Sequence, residues 1–409
     1  MKIAISTAVY YPQINGVAVF SHNLASGLVK RGHEVIVICP SQTGKPHVKT
    51  IDGVKVHYLK SMQVKLYPDQ IHDVPSGRKL LYKHGFRVSL FPGKEIDEIL
   101  SKFSPDVVQV QVSDPVGLAV VSWARNHKTP IVMTEHNQPE VLTEPIHVPG
   151  IMKKPVNKAL SSYFRNRQRK SDFVTMPTQQ AIDNLLFNTG KRLEVPIAAV
   201  SNGVDLKRFK PGEASFNTFV KYGLDVDVPT VLYVGRVDPE KKVGVVIEAF
   251  LKVLDTVPNA QLLIVGDGVD KARLERKYGV IRSIRFLGRI SGDDLYNLYK
   301  IGWLFATASE IETQGIVLIE AAASGLPLVA VDKGAVAEVC IDEENGYLCE
   351  PGSVPEIANA ITTILTDEKI RKDFAKKSLE VAKEHDFETT LDRFINIYNK
   401  VTKSESDNR

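Results

Sequence analysis

Short apolar runs rich in Val and Ile alternate with amphipathic helical patterns along almost the whole chain. This alternation is typical of parallel β-sheets with helices on both faces, because each strand is followed by a helix that carries the chain back to the same edge. The rhythm is interrupted at residues 201–212, where turn-forming residues cluster, and then restarts. We therefore predict an α/β protein with two Rossmann-like domains, whose main strands are residues 2–6, 34–39, 54–58, 106–111, 130–134, 230–234, 260–265, 284–287, 303–306 and 327–331.

Two domains fit the length of 409 residues, and a composition of 43% hydrophobic and 24% charged residues excludes a wholly disordered or fibrous chain. The three cysteines, Cys39, Cys340 and Cys349, lack the spacing of metal ligands, so the sequence indicates a reducing compartment. No apolar run reaches the roughly 18 residues of a membrane-spanning helix. We expect a cytoplasmic protein whose contact with any membrane is peripheral.

The predicted domain boundaries follow from the same rhythm. Residues 1–205 form the N-terminal domain, residues 206–386 the C-terminal domain, and residues 387–409 a terminal segment that begins as an amphipathic helix. Charge is divided unevenly, since residues 1–200 hold 25 Lys and Arg against 15 Asp and Glu, whereas residues 201–409 hold 27 against 33. The basic first half suits an anionic partner, which on charge alone is a membrane surface, a nucleic acid or an anionic substrate.

The most informative motif covers residues 309–321, where an acidic turn leads into a helix. Gly315 opens that helix, so its first amides would point outward with the positive end of the helix dipole behind them, an arrangement that binds phosphate. Glu320 lies about a turn and a half further on, within reach of ribose hydroxyls, and Glu312 can reach a sugar hydroxyl. Taken alone, Glu312 also fits a capping acid and Glu320 a solvated helix residue. The amides in question belong to Gln314, Gly315, Ile316 and Val317.

A second motif, V-G-R-V-D-P-E-K-K at residues 234–242, directly follows a predicted strand. Open α/β sheets bind ligands at the carboxyl ends of their strands. Arg236 and Lys241 can therefore neutralise a diphosphate and stabilise the charge that develops on it as it departs. For Lys242, a solvated basic loop is the simpler explanation.

These two motifs and the first loop, Y-P-Q-I-N-G-V at residues 11–17, resemble the retaining glycosyltransferases of family four, which have the GT-B architecture. The resemblance covers nearly the whole chain, because further elements stand in the family's order: T-E-H at 134–136, S-N-G-V-D at 201–205, V-G-D-G at 265–268 and F-L-G at 286–288. It implies two Rossmann-like domains that face a central cleft. The N-terminal domain would bind the acceptor and the C-terminal domain the nucleotide-sugar, and the C-terminal helix would return to the N-terminal domain.

The resemblance also implies a role for each matching residue. Arg236 and Lys241 would hold the diphosphate, and Glu320 would hold the ribose. Glu312 would bind the hydroxyls of the transferred sugar, and His136 would contact the donor sugar and orient the acceptor hydroxyl. The implied catalytic group is therefore His136, Glu312, Arg236 and Lys241.

Backbone contacts complete the donor site that the resemblance implies. Gly16 would let the first loop approach the donor closely, since a side chain there would intrude. The backbone near Arg289 and Ile290 would meet the base. Gln314 stands where the family often has an aromatic residue, and E-T-Q-G at 312–315 looks like the bacterial enzymes that glucosylate diacylglycerol. UDP-glucose is therefore the expected donor, and a membrane lipid the expected acceptor.

Family enzymes keep the anomeric configuration without an evident protein nucleophile. The resemblance therefore implies front-face attack by the acceptor hydroxyl, with the leaving phosphate taking the proton. Glycosidases differ, because two carboxyl groups flank the bond that they cleave. The acidic triplet D-V-D at 225–227 lies among turn residues rather than after a strand, so we expect no metal site. We also expect no cofactor, since the nucleotide-sugar is a substrate.

The acceptor hypothesis depends on residues 145–171, which hold seven Lys and Arg and no acidic residue. On a helix the apolar side chains of this stretch would lie on one face and the basic ones on the opposite face. The apolar set is Met152, Val156, Ala159, Leu160 and Tyr163, and the basic set is Lys154, Lys158, Arg165 and Arg169. A core helix with a solvated basic face would show the same pattern.

Residues 78–87 again mix basic and aromatic side chains. We expect the N-terminal domain to dock on the anionic inner face of the cell membrane, with help from residues 80–86. The docking cations would be Lys153, Lys154, Lys158, Arg165, Arg167, Arg169 and Lys170.

Two other functions stay open on the sequence. One is a soluble glycosyltransferase that makes a polysaccharide or a small glycoside. The other is a nucleic-acid-binding protein that uses the basic half. Its basic stretches carry no zinc, homeodomain or RNA-recognition signature, and Glu312 and Glu320 would have no role. We therefore predict no nucleic-acid partner.

Overall fold

The computed structural model describes residues 1–11, 16–64, 70–73, 79–82, 86–112, 114–136 and 150–406. The chain divides into two compact units, one made of residues 1–202 and 390–409 and the other of residues 203–389. Each unit contains one large sheet of mainly parallel strands with helices between them. The predicted α/β class is therefore confirmed, whereas the separate roles expected of the two domains stay predictions.

The first unit contains the following elements: β1 (Lys2–Ser6), α1 (Gly16–Lys30), β2 (Glu34–Pro40), β3 (His47–Ile51), β4 (Val54–Leu59), β5 (Met62–Val64), β6 (Gln70–Asp73), β7 (Lys79–Tyr82), β8 (Phe86–Val88), α2 (Gly93–Phe103), β9 (Val107–Val110), α3 (Pro115–Asn126), β10 (Ile131–Thr134), α4 (Gly150–Gln168), β11 (Phe173–Met176), α5 (Gln179–Thr189), β12 (Ile197–Ala199) and most of α13 (Phe387–Ser406). The strand order is β12-β11-β10-β9-β1-β2-β4-β3, and only β3 with β4 is antiparallel. Central strands are continuous apolar runs because both faces of the sheet are covered, and β1 accordingly has four consecutive buried residues.

The C-terminal part of α13 packs within this unit. Phe394 and Tyr398 are fully buried, and the ring of Phe394 lies 5.8 Å from that of Phe20 in α1. The Tyr398 hydroxyl donates a hydrogen bond of 3.0 Å to Oε1 of Gln109, whose Nε2 donates in turn to Oγ1 of Thr134 at 2.8 Å. A buried polar network and apolar packing together fix the helix to β9 and β10.

The second unit contains the following elements: α6 (Phe216–Tyr222), β13 (Thr230–Val234), a 3-10 turn (Pro239–Lys241), α7 (Val243–Val253), β14 (Gln261–Val265), α8 (Lys271–Tyr278), β15 (Ile284–Gly288), α9 (Asp293–Ile301), β16 (Leu304–Ala306), α10 (Ile316–Ala323), β17 (Leu328–Val331), a 3-10 turn (Gly334–Glu338), β18 (Gly346–Cys349), α11 (Val354–Thr366) and α12 (Glu368–Lys383). The six strands are all parallel, in the order β15-β14-β13-β16-β17-β18. Apolar clusters cover both faces of this sheet.

Both sheets reverse their strand order at one point. In the second unit, β14 and β15 extend the sheet on one side of β13, and the chain then crosses to β16 on the other side. In the first unit the reversal falls between β1 and β9. Open α/β sheets bind ligands at the carboxyl ends of the strands that flank such a reversal, because the loops diverge there and leave a crevice. Binding groups are therefore expected after β13 and β16, and after β1 and β9.

None of the helices within the described ranges is long and apolar enough to cross a membrane.

Candidate functional site

Lys241 and Glu312 form the centre of the site in the second unit. Lys241 follows β13 and Glu312 follows β16, so the two loops that flank the strand reversal meet here. Nζ of Lys241 lies 2.7 Å from Oε1 of Glu312 and 3.0 Å from the carbonyl oxygen of Ile311. Both side chains are 16% exposed, so the ion pair is largely withdrawn from water but keeps some access to a ligand.

Arg236 lies directly after β13 and is more exposed than Lys241. Its guanidinium contacts the carboxylates of Asp238 and Glu240, with 2.6 Å between Nη2 and Oε1 of Glu240. About three-fifths of the Arg236 side chain, 61%, is exposed. Its charge is therefore held near the strand end and remains accessible to an anion.

Helix α10 begins at Ile316, with Gly315 as its N-cap residue, as the motif predicted. Gly315 has a φ of 74°, and a Cβ atom there would lie 2.6 Å from Cδ1 of Leu318, so the position requires glycine. The side chains of Ile316 and Val317 pack partly buried against the core, as does that of Ile290 after β15. These residues therefore offer a ligand their backbone, and the first amides of an α-helix have no acceptor within the helix.

Glu320 lies in α10 and is half-buried. Its Oε2 accepts a hydrogen bond of 2.7 Å from the hydroxyl of Tyr299, a fully buried residue of α9. Burial raises the pKa of Glu320 to about 7, although the hydrogen bond from Tyr299 acts in the opposite direction. The alternative of a solvated helix residue is therefore wrong.

The predicted donor-binding residues of this unit all lie after β13, β15 or β16. The hydrogen-bond partners of these residues were not predicted. Tyr299, for example, lies 21 positions before Glu320, and no local sequence pattern indicates that the two side chains meet. The predicted residues are Arg236, Lys241, Ile290, Glu312, Gln314, Gly315, Ile316, Val317 and Glu320, of which Gln314 is buried.

Glutamine in place of Glu320 should stabilise the protein at pH 8. Because the pKa is raised in the folded state, folding loses stability as the pH rises from the ordinary value of 4.5 to about 7. Above pH 7 the penalty is at most about 3 kcal/mol, which corresponds to roughly 6–12 °C in Tm for a unit of this size. Thermal unfolding of Glu320→Gln and wild type at pH 5 and pH 8 measures the difference, which should be small at pH 5.

Glu380 supplies the control for this comparison. It is an exposed glutamate of α12 in the same unit, so Glu380→Gln should shift Tm by no more than about 2 °C at either pH. Equal Tm values for Glu320→Gln and wild type at pH 8 would contradict the raised pKa.

His136 follows β10 in the first unit and is buried. Its Nε2 lies 2.8 Å from Oε1 of Gln111, and the ring of Phe20 packs edge-on with 5.3 Å between centroids. Burial lowers the pKa of His136 to about 4, so the ring is neutral at physiological pH. At that pH the ring can donate and accept hydrogen bonds, but it carries no charge.

Parts of the predicted contacts lie outside the described residues. Gly16 is the exposed first residue of α1, but residues 12–15 of the first loop are not among those described. The same holds for residues 83–85 of the expected membrane segment and for the stretch 137–149. The side chain of Lys153 also lies outside the described part.

The apolar face predicted for α4 is not the buried side of the helix, so the alternative of a core helix that buries this face is wrong. Met152 and Tyr163, which the helical pattern placed on the apolar face, are 49% and 43% exposed, and Ala159 is exposed as well. The buried side instead carries Phe164 and Gln168. Phe164 is the bulkiest apolar side chain of the helix, and its burial turns Met152, Ala159 and Tyr163 towards solvent.

The basic residues of α4 and the adjoining turn are not equivalent. Arg165 is wrongly assigned to a free basic face, because its side chain is only 13% exposed and contacts Glu194 at 3.7 Å. Arg169 contacts the same carboxylate at 2.6 Å, and the guanidinium of Arg167 lies 4.7 Å from the ring centre of Tyr163. Exposed cations without an ion-pair partner among the described residues are Lys154, Lys158 and Lys170.

In the part of the chain that the structure describes, no three His, Cys, Asp or Glu side chains come together as metal ligands would. Asp225 of the D-V-D triplet instead lies 3.5 Å from the guanidinium of Arg282. Whether the reaction needs a metal stays a prediction.

Two family models match the chain. The family described as Glycosyltransferase Family 4 matches residues 14–208, and the family described as Glycosyl transferases group 1 matches residues 215–381. His136, Arg236, Lys241 and Glu312 all lie within these matches. The chain belongs to the GT-B glycosyltransferases, which confirms the family that the motifs indicated.

Relatives of known activity are similar to the chain at low identity. It is 27% identical to sulfoquinovosyl transferase SQD2 of Arabidopsis thaliana over 76% of this chain, but the match spans only 59% of that protein. It is 27% identical to the alpha-monoglucosyldiacylglycerol synthase of Acholeplasma laidlawii over 80% of both chains. It is 28% identical to the GDP-mannose-dependent alpha-mannosyltransferase of Mycolicibacterium smegmatis over 94% of this chain and 93% of that one. What these relatives share is glycosyl transfer.

Among solved structures, the sucrose-phosphate synthase of Thermosynechococcus elongatus superposes with a TM-score of 0.72. The superposition covers 98% of this chain and 99% of that chain at 19% sequence identity. At this identity the likeness concerns the fold, and it confirms the predicted architecture of two Rossmann-like domains.

Proposed function

We propose that this glycosyltransferase moves a glucosyl group from UDP-glucose to a hydroxyl of a membrane lipid such as diacylglycerol. The observation that carries the lipid acceptor is the exposed surface of α4, and the E-T-Q-G motif at residues 312–315 supports the donor. Similarity to a monoglucosyldiacylglycerol synthase points the same way. The enzyme would act from the cytoplasm at the inner face of the cell membrane, without a resident cofactor and without a nucleic-acid partner.

In the proposed reaction, Lys241 and Arg236 bind the diphosphate of the donor. Lys241 is paired with Glu312, and Arg236 with Asp238 and Glu240. An arriving diphosphate would take over part of these contacts and leave Glu312 to accept hydrogen bonds from hydroxyls of the transferred sugar. As the bond to the anomeric carbon breaks, the same two cations stabilise the negative charge on the leaving phosphate.

Glu320 and the first turn of α10 bind the nucleoside part in this proposal. The carboxylate of Glu320 is oriented by Tyr299 and accepts from the ribose hydroxyls. The amides that follow Gly315 meet a phosphate oxygen, because the positive end of a helix dipole lies behind them. The backbone at Ile290 meets the base.

The proposed mechanism retains the anomeric configuration and takes no base from the protein. The acceptor hydroxyl attacks from the side on which the phosphate leaves, and an oxygen of that phosphate takes the hydroxyl proton. His136, with a pKa of about 4, is a weak base that orients a hydroxyl through a hydrogen bond. Because Lys241 and Arg236 supply positive charge at the diphosphate, we propose that the reaction needs no divalent cation and proceeds in EDTA.

The surface of α4 suits an anionic bilayer. Met152 and Tyr163 present apolar side chains to solvent, and Lys154 and Lys158 are exposed on the opposite side of the same helix. Exposed apolar side chains on one face and lysines on the other are typical of helices that lie in the headgroup region of a membrane. Each cation near an anionic surface adds about 1 kcal/mol, so Lys154, Lys158 and Lys170 would together add about 3 kcal/mol.

Replacing Lys154, Lys158 and Lys170 by glutamine should therefore weaken binding to anionic vesicles by roughly 100-fold. Binding of the wild type should rise with the fraction of anionic lipid and fall with salt, since exposed charges are screened beyond about 10 Å at 0.1 M. Flotation of vesicles through a density gradient measures both effects. UDP binding by the triple variant should match the wild type, because the donor residues belong to the other unit.

The matched control removes the same charge elsewhere in the first unit. Lys45, Lys49 and Lys55 are exposed and lie in or beside β3 and β4, whereas α4 connects β10 to β11 towards the other end of the strand order. Their replacement by glutamine should leave flotation unchanged. Equal loss in the two triple variants, or a wild type that does not float, would contradict the membrane surface and favour a soluble acceptor.

A further inference from the structure

We propose that Gln111 is a further residue of the substrate site, which fixes the tautomer of His136 with one end of its amide and offers the other end to a hydroxyl of the donor sugar. The inference rests on the proposed role of His136 in the reaction. It extends the site to a residue that none of the sequence motifs contains.

Gln111 stands at the strand reversal of the first unit. It directly follows β9, and its backbone N–H donates a hydrogen bond of 2.9 Å to the carbonyl oxygen of Ser6, the last residue of β1. These two strands flank the reversal, where open α/β sheets bind ligands. The side chain of Gln111 is fully buried, so packing and this backbone bond hold it in place.

The amide oxygen of Gln111 defines the state of His136. Oε1 of Gln111 lies 2.8 Å from Nε2 of the ring, and both side chains are buried. Since a carbonyl oxygen only accepts, the single proton of the neutral ring belongs on Nε2. The lone pair on Nδ1 is then the group that can accept a hydrogen bond from a substrate hydroxyl.

The other end of the amide has no partner among the residues that the structure describes. Nε2 of Gln111 and Oγ of Ser6 are both buried, and neither makes a hydrogen bond to any residue that the structure describes. A buried amide donor without an acceptor destabilises a fold, so each such group calls for an explanation. A bound hydroxyl oxygen would satisfy it.

Gln109 shows what a purely structural amide looks like on the same strand. It lies in β9, two residues before Gln111. Both ends of its amide are bonded, Nε2 to Thr134 and Oε1 to Tyr398. Unlike Gln109, Gln111 therefore has an amide nitrogen without an acceptor among the described residues. Because Gln111, Ser6 and neutral His136 carry no charge, together they suit the hydroxyls of a sugar rather than an anion.

The position of the ring proton tests the first half of the proposal without any turnover. Long-range 1H–15N spectra of histidine-labelled protein, with His136 assigned by substitution, should place the proton on Nε2 in wild type and in Gln111→Glu, since a carboxylate also accepts. In Gln111→Met the Nε2 proton should lose its protection from exchange with water. A proton on Nδ1 in wild type, or an unchanged signal in Gln111→Met, would overturn the tautomer assignment.

Gln109→Met is the matched control for these spectra. It removes a buried amide from the same strand but not from His136, so it should lower Tm and leave the ring signal of His136 as in wild type. A signal that changes equally in Gln109→Met and Gln111→Met would reflect general loosening of the strand and would also overturn the assignment.

The second half of the proposal is tested by kinetics with UDP-glucose and its deoxyglucose analogues. Gln111→Met loses the amide donor and adds no carboxylate that could accept from the same hydroxyl, so kcat/KM should fall about tenfold or more. For one sugar position, loss of the hydroxyl should cost the wild type about tenfold and cost Gln111→Met nothing further. Equal losses in both proteins at every position would overturn the substrate contact. If no transfer to lipid is found, the proposed function fails, but the spectra still decide the tautomer.

Discussion

Lys241→Ala should lower kcat/KM for glycosyl transfer by about 100-fold or more. The substitution removes the cation that lies 2.7 Å from Glu312 and that we expect to neutralise the leaving diphosphate. Groups that stabilise charge developing in a transition state contribute about 10²–10³ in rate in other enzymes. Steady-state kinetics with UDP-glucose measures the loss.

The next residue provides the control. Lys242 is exposed, so Lys242→Gln should stay within about twofold of wild type. Because Lys241 and Glu312 are paired, the double variant Lys241→Ala with Glu312→Gln should lose less activity than the product of the two single losses. A loss below about threefold in Lys241→Ala would contradict the placement of the diphosphate.

Gly266→Ala should destabilise the second unit by about 4 kcal/mol or more, which corresponds to a fall in Tm of roughly 10 °C. Gly266 directly follows β14 with a φ of 144°, and a Cβ atom there would lie 1.8 Å from the carbonyl oxygen of Gly235, which follows β13. Hydrogen bonds from Gly266 to Gly288 at 2.8 Å and from Gly235 to Val265 at 2.9 Å hold both backbones in place. The strained φ adds to the clash.

Thermal unfolding tests this prediction against a second glycine of the same unit. Gly244 lies in α7, and a Cβ atom there would make an ordinary contact of 3.5 Å with Cδ2 of Leu274. Gly244→Ala should leave Tm equal or higher, since alanine favours a helix over glycine. A Gly266→Ala protein as stable as Gly244→Ala would show that the strand ends in this part of the site are loosely packed.

The parallel strands were predictable because they are buried on both faces and therefore read as continuous apolar runs. Strands β1 and β13 have the bounds that the sequence predicted, residues 2–6 and 230–234. Strand β3 was missed because four of its five residues are exposed and only its pairing with β4 makes it a strand. Strands β11, β12 and β18, with three or four residues each, were missed as well.

The donor motifs were predictable because each is a local feature, a glycine or a charge placed just after a strand. Contacts between residues that are far apart in the sequence were not predictable. Tyr299 contacts Glu320, and Gln111 contacts His136, but the two members of each pair belong to different segments. No local sequence pattern predicts either contact. In the same way, the sequence does not show that the side chain of Arg165 is largely buried and paired with Glu194.

The helix α4 shows the limit of amphipathic patterns. Its predicted apolar residues share one face, but the pattern does not decide whether that face packs on the core or is exposed. Phe164 is buried and fixes the orientation of the helix. Met152 and Tyr163 therefore remain exposed, and they form the apolar part of the proposed membrane surface.

We propose that the protein glucosylates a membrane lipid with retention of configuration. The direct measurement uses purified protein, UDP-glucose labelled with 13C at the anomeric carbon, and vesicles of anionic lipid that contain diacylglycerol, in the presence of EDTA. NMR of the extracted lipid should show a labelled glucosyl diacylglycerol with the small anomeric coupling constant of an α-linkage, as in the donor. A β-linked product, or transfer to soluble acceptors with none to lipid, would contradict the account.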